Sequence, residues 1–303
     1  MLQAYFDESK SDNLVSVSGF VGREDQWQAV GDQWRAAFRL VGIPYLHMAE
    51  FVSDRSPVYQ HLTMSERLTI VRHLATILRR NIAISADVTL DAKSFEAGTS
   101  TRFRSQIGTA YTICAASAVM MIGDQLREDS IDWNVTWTFE HGHANSAQLA
   151  SRLTVLNEAA GHEFRIQGFG FSSPAPGVIP EIPLQAADML AYASIQPDDC
   201  LDAFSEIHAD EPSRIMYNFS LPLSTRLVRK IWGPIAELEA HHRKVMKLAV
   251  KGLSIADGLG SRTHVYEDEL PAMQRSIDKL NKVARLLKIE QRARIVTEDK
   301  VIE

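Results

Sequence analysis

The sequence predicts an α/β protein, a mixed sheet flanked by helices, followed by a helical C-terminal extension. Three observations carry this. Two apolar segments, 2–8 and 14–21, open the chain like the arms of a hairpin; strand-period and helix-period segments then alternate to about residue 195; and from Leu223 onward only helical patterns remain. The 303 residues are 45% hydrophobic and 23% charged, which allows a sizeable core and excludes a fibrous or wholly disordered chain. The expected division is an α/β domain over 1–200 and the helical extension over 201–303.

Each element has its own signal. LQAYFDE reads as a strand, and LVSVSGFV alternates apolar with small polar residues, with the turn-rich SKSDN between them. Trp27, Val30, Trp34, Phe38 and Val41 recur at three- and four-residue steps, giving one apolar helix face that Gly42 and Pro44 terminate. Thr63 and Glu66 have the spacing of a capping box, starting a helix that runs to about Arg80 with Leu68, Val71, Leu74 and Leu78 inward. Asn81 to Leu90 alternates like a half-buried strand. Residues 103–127 are apolar over more than one face, which predicts a single interior helix. Ile131 to Glu140 places Trp133, Val135, Trp137 and Phe139 on one face and ends in a carboxylate. A helix over 145–160, a strand over 163–171, a loop with four prolines and a short helix over 183–195 complete the domain, so the sheet is expected to be finished by about residue 195. In the tail, helix signals cover 223–251 and 267–294. Leu270, Met273, Ile277, Leu280, Ala284 and Leu287 form a heptad seam there, suited to packing on the chain's own domain or to a homodimer.

Composition also excludes function classes. The longest apolar stretch, Ile113 to Ile122, is too short to span a bilayer, which takes roughly 20 residues, so no membrane partner is expected. MLQAYFDESK lacks the basic start of a secretory signal, and the expected compartment is the cytoplasm. Two cysteines, Cys114 and Cys200, are neither a disulfide framework nor a thiolate zinc site. Residues 1–222 carry 16 Lys/Arg against 27 Asp/Glu, a net −11, while residues 223–303 carry 16 against 11, a net +5. The acidic bulk does not suit a protein that coats nucleic acid. A nucleic-acid enzyme remains possible, since bound metal ions set the charge at its site.

The common nucleotide-binding, hydrolase-elbow and zincin motifs are absent. Acids at strand ends or inside apolar segments carry the chemistry instead, because an unpartnered carboxylate there is costly to desolvate. They are Asp7 with Glu8, then Glu50, Glu140 and Asp188. Neighbouring strand residues point to opposite faces, so only one of Asp7 and Glu8 can face a given site. Carboxylates gathered from separate elements repel, and a hard divalent cation such as Mg²⁺ or Mn²⁺ is the usual remedy.

AYFDES with its hairpin, HMAEF at 47–51, FEHG at 139–142 and LQAADMLAY at 184–192 together resemble the domain-of-unknown-function family 3800 over about residues 3–195. In that family the first motif reads Asp-Glu-Ser-Gly; here Lys10 stands in place of the glycine. The resemblance implies an RNase H-like fold with acids collected at one edge around one or two Mg²⁺ or Mn²⁺ ions. By this resemblance Asp7 and Glu8 correspond to the first-strand acids, Glu50 to the acid of a His-x-x-Glu piece, Glu140 to the central-strand acid and Asp188 to the acid of a Gln-x-x-Asp helix. His47, three residues before Glu50, and His141, directly after Glu140, are candidates for supporting those acids or carrying protons.

The expected activity is that of a metal-dependent phosphodiesterase, a nuclease hydrolysing RNA or DNA. Asp7, Glu140 and Asp188 would hold two ions about 3.5–4 Å apart, with Glu8 and Glu50 as further acids. Arg102, Arg104, Arg226, Arg229, Lys230, Arg243, Lys244, Lys247 and Lys251 are cations suited to a phosphate backbone or, more simply, to a solvated helix face. Two other readings stand beside this one, an interaction module working through the basic helical tail and a small-molecule phosphatase.

Overall fold

In the computed structural model, β1 (Leu2–Lys10) and β2 (Leu14–Arg23) form an antiparallel hairpin in which Asp7 lies opposite Ser18. The structure describes residues 1–53, 55–128, 135–140, 146–159, 166–172, 181–195 and 217–226, together with 228, 229, 232, 233 and 236. It divides into two compact units, one of Met1–Gly98 with Gly108–Leu223 and one of Thr99–Ile107 with Ser224–Glu303.

The first unit holds the whole described sheet. β3 (Ile84–Asp91) pairs antiparallel with β2, setting Asp87 opposite Ser18, and β4 (Val135–Glu140) pairs parallel with β1. β5 (Ile166–Ser172) lies parallel to β4 and β6 (Tyr217–Leu223) parallel to β3, giving the order β5-β4-β1-β2-β3-β6. Parallel neighbours need long crossovers, and helices supply them. The chain is therefore an α/β protein with a mixed, helix-flanked sheet.

Helix α1 (Glu24–Val41) begins where the Gln26 side chain accepts the Arg23 amide at 2.7 Å and ends at Gly42, whose φ of 73° suits the left-handed turn. After the four-residue α2 (Met48–Phe51), α3 (Met64–Asn81) starts at the predicted box: Thr63 accepts the Glu66 amide at 3.3 Å while Glu66 accepts the Thr63 amide at 2.8 Å. One core joins Phe20 of the sheet to Trp27, Trp34 and Phe38 of α1, Leu74 and Leu78 of α3, and Met189 of α8 (Ile182–Ile195). On the opposite sheet face, Phe6 stacks between Trp137 and Phe139, with ring centroids at 5.8 and 5.6 Å. Each such large side chain contributes about 1.5–3 kcal/mol by leaving water.

Two expectations need correction. The helix expected over 103–127 is two helices, α5 (Thr101–Ile107) and α6 (Ala110–Glu128), preceded by a short α4 (Ala92–Gly98). Gly108 breaks it with a φ of 107°, and the Thr109 hydroxyl then accepts the Thr112 amide at 3.4 Å as a fresh helix start. The sheet is also not complete by residue 195, because β6 extends it. Pro222 within NFSLPL argues against a central strand, but an edge strand tolerates it. Helix α7 (Ser146–Ala159) matches its expected element closely and β5 overlaps the strand expected over 163–171 from Ile166 onward, while β3 starts three residues later than predicted.

In the second unit, α5 starts with the Ser100 hydroxyl accepting the Phe103 amide at 3.1 Å, and the Val228 amide donates to the Ser224 carbonyl at 2.9 Å. The segment 131–134, His141, Cys200, the tail cations Lys230, Arg243, Lys244, Lys247 and Lys251, and the seam helix at 267–294, with its homodimer, lie outside the described residues. Among the described residues no single helix is long and apolar enough to cross a membrane.

Candidate functional site

Side-chain alternation along β1 sends Tyr5 and Asp7 to the face covered by α1 and α8, and Phe6 and Glu8 to the face covered by α6. The register then sets the neighbours of Asp7. Phe6 pairs with Phe139, so Glu140, the last residue of β4, follows beside Asp7, the sixth of the nine residues of β1. The Asp7 and Glu140 carboxyls lie close together, with Asp188 near enough to repel Asp7. Burial first, and Glu140 next, push the Asp7 pKa well above its ordinary range. The Glu8 amide opposes this by donating to Asp7 Oδ1 at 2.7 Å. Asp7 therefore holds its proton more tightly than a free carboxyl does.

Asp188 arrives from α8, which lies over β1 and β2. Burial raises its pKa to about 6, against the Met48 amide, which donates to Oδ2 at 2.7 Å, and nearby His47, both of which lower it. Three residues earlier on α8, the buried Gln185 accepts the Leu46 amide through Oε1 at 2.7 Å. These bonds bring the 45–51 segment to the acids. On it, Glu50 accepts the Tyr45 hydroxyl at 2.9 Å, and His47 Nδ1 lies 3.7 Å from the other Glu50 oxygen. His47 and Glu50 are 46% and 44% exposed at their side chains, so both stand at a solvent-facing rim. Behind them, the Tyr59 hydroxyl donates to the Tyr45 carbonyl at 3.0 Å, and Arg67 donates to the carbonyls of Phe51, Ser53 and Tyr59 at 2.9, 3.1 and 2.8 Å.

Glu8 is separated from this group by the sheet. Its side chain is 1% exposed, pairs with Lys10 Nζ at 2.5 Å and neighbours Tyr111 of α6, whose phenol pKa burial and the Glu8 charge push up. Asp87 is a polar residue that sequence reasoning missed. Its Oδ1 accepts the Ser16 and Ser18 hydroxyls at 2.9 and 2.7 Å, on the face and in the row of Asp7. Its position among the polar partners of an alternating strand looks like a solvent-facing one, which hid it. Gln185 was visible only as part of a motif.

The structure thus brings Asp7, Glu140 and Asp188 together, places Glu50 and His47 at the rim, and puts Glu8 on the other face. Among the described residues no group of three or more His, Cys, Asp or Glu side chains is arranged to hold a metal ion. The chemistry of the donors nevertheless suits one: all are carboxylate oxygens, the ligands that Mg²⁺ and Mn²⁺ take, and Asp7 and Asp188 are buried near further acids, where a cation would relieve the repulsion.

No known protein family's sequence model matches the chain, and a search of curated proteins finds no match.

Proposed function

We propose that the chain is a metal-dependent phosphodiesterase of RNase H-like type that hydrolyses nucleic acid. The observation that carries the reading is the buried Asp7 with Glu140 beside it and Asp188 near enough to act on its charge. Three acids from three elements, held on one face at a charge-repulsion cost, are more than packing requires. A hairpin-led mixed sheet, with acids side by side on two adjacent parallel strands, supports the ribonuclease H type of sheet that the resemblance implies.

Bound Mg²⁺ or Mn²⁺ supplies a water of lowered pKa and stabilises charge on the leaving oxygen of a phosphodiester. Asp7, Glu140 and Asp188 are the residues that would hold it. The Met48 amide occupies Oδ2 of Asp188 and so orients the remaining oxygen. His47, exposed beside Asp188, can pass a proton to or from solvent at a ring nitrogen.

The test is a mixture of single-stranded, duplex and hybrid oligonucleotides incubated with Mn²⁺ or with chelator. Cleavage that needs Mn²⁺ and disappears in Asp7→Asn is the expected result. Hydrolysis of an aryl phosphate monoester with every oligonucleotide intact would replace the reading with that of a phosphatase. Salt-sensitive retention of oligonucleotides without cleavage would favour a binding module.

A further inference from the structure

The segment between α1 and α3 has little ladder of its own: α2 is four residues long, and the chain on either side belongs to no strand. Its conformation must come from side chains that reach in, and α8 supplies two. Gln185 and Asp188 lie three apart on one helix face, while the Leu46 and Met48 amides lie two apart on extended chain, His47 having φ −139° and ψ 110°. Side chains at i and i+3 of a helix are about 5–6 Å apart, close to the repeat of like-pointing amides on an extended strand. The two spacings match, so α8 grips the segment at two points.

We propose that Gln185 is a positioning residue, whose side-chain carbonyl holds the Leu46 amide so that Met48 and His47 stay against Asp188. The bond is buried and spans 139 residues of sequence. Hydrophobic packing alone does not account for it, since an apolar side chain would fill the volume and leave the Leu46 donor unsatisfied. Asp188 cannot do both jobs. Its Oδ2 is committed to Met48, and Tyr59 and Arg67 hold only the ends of the segment, at the Tyr45 and Phe51 carbonyls, so without Gln185 the Met48 bond would be the one hold of α8 on it. What the positioning serves, orienting an acid of a hydrolytic site, rests on the nuclease reading; the grip itself does not.

The experiment compares the full-length chain with Gln185→Leu, which keeps the volume and removes the acceptor, and Gln185→Glu, which keeps an acceptor oxygen in either protonation state. Amide hydrogen exchange at Leu46 and Met48 is read without metal or substrate. Exchange in Gln185→Leu should rise about tenfold at both amides, while the α3 amides stay near wild type, and Gln185→Glu should restore most of the protection. Unchanged exchange at Leu46 and Met48 in Gln185→Leu, or failure of Gln185→Glu to restore it, overturns the proposal. If Gln185→Leu does not fold, Gln185→Asn, which withdraws the carbonyl by one methylene, takes its place with the same two outcomes. In the same preparations, Mn²⁺-dependent cleavage should lose kcat far more than KM. Absence of cleavage in the wild type counts against the nuclease reading and leaves the exchange result to decide the role of Gln185.

Discussion

Asp7 lies beside Glu140 one residue past the Phe6–Phe139 pair of β1 and β4, and burial together with that neighbour raises the Asp7 pKa. Stability should follow the protons that the buried acids hold. Asp7 and Asp188 both have folded-state pKa values above their ordinary 3.8, Asp188 at about 6, so between those values the folded chain binds more protons than the unfolded one. The metal-free protein should therefore lose stability as pH rises from about 4 towards 7, each pKa unit being worth about 1.4 kcal/mol at most. Melting temperatures in chelator across this range check it. Asp7→Asn should flatten the decline and melt at or above wild type at neutral pH, because Asn keeps an acceptor for the Glu8 amide and adds no charge. A drop of several degrees in Asp7→Asn at neutral pH would make Asp7 a structural acid.

Millimolar Mn²⁺ should raise the melting temperature, by about 2.7 kcal/mol of stabilisation at a hundredfold excess over Kd. Asp188→Asn should remove most of this gain. Glu50→Gln should keep most of it and cost less than about 1 kcal/mol by itself, because Glu50 is half exposed and engaged by Tyr45 and His47. Thermal melts of the three proteins with and without Mn²⁺ suffice. An equal loss in both variants would place Glu50 among the ligands.

Gly19→Ala should destabilise the chain by about 3 kcal/mol. A Cβ at Gly19 would sit 2.0 Å from the Tyr5 carbonyl oxygen and 2.8 Å from the Phe6 ring, so β1 would have to move. Urea midpoints measure the cost. Since Asp7 follows Phe6 on that strand, the Mn²⁺ gain should shrink as well.

Arg67→Met should cost about 3 kcal/mol, because removing a buried cation strands the three carbonyls it bonds. Faster proteolysis within 51–59, relative to α3, would accompany the loss. Wild-type urea midpoints would show that those carbonyls find other donors.

The sequence displays the elements of this fold and hides their joints. Trp27, Val30, Trp34 and Phe38 announce α1 because burial repeats at the helical period, and the Thr63–Glu66 box marks the start of α3 because capping is local chemistry. The break at Gly108 is short, and the apolar residues on both sides of it conceal it. Asp7, Glu140 and Asp188 stand out because acids in apolar runs are anomalous. Which of Asp7 and Glu8 joins them depends on strand register, a property of pairing that a single sequence does not contain. Asp87 and Gln185 went unnoticed as actors for a related reason: each matters through partners distant in sequence, Ser16 and Ser18 for one and the Leu46 amide for the other.

Pro222, opposite Thr89 on β6, the outermost strand among the described residues, affects how molecules behave at high concentration. An outer strand offers a row of donors and acceptors that a strand from another molecule can extend, the first step toward fibrous aggregates. Proline has no amide hydrogen, and its ring obstructs close approach, so the row is interrupted near its end. That flank of the sheet is a poor template for strand addition, and crowding should favour separate molecules over edge-to-edge stacking along β6.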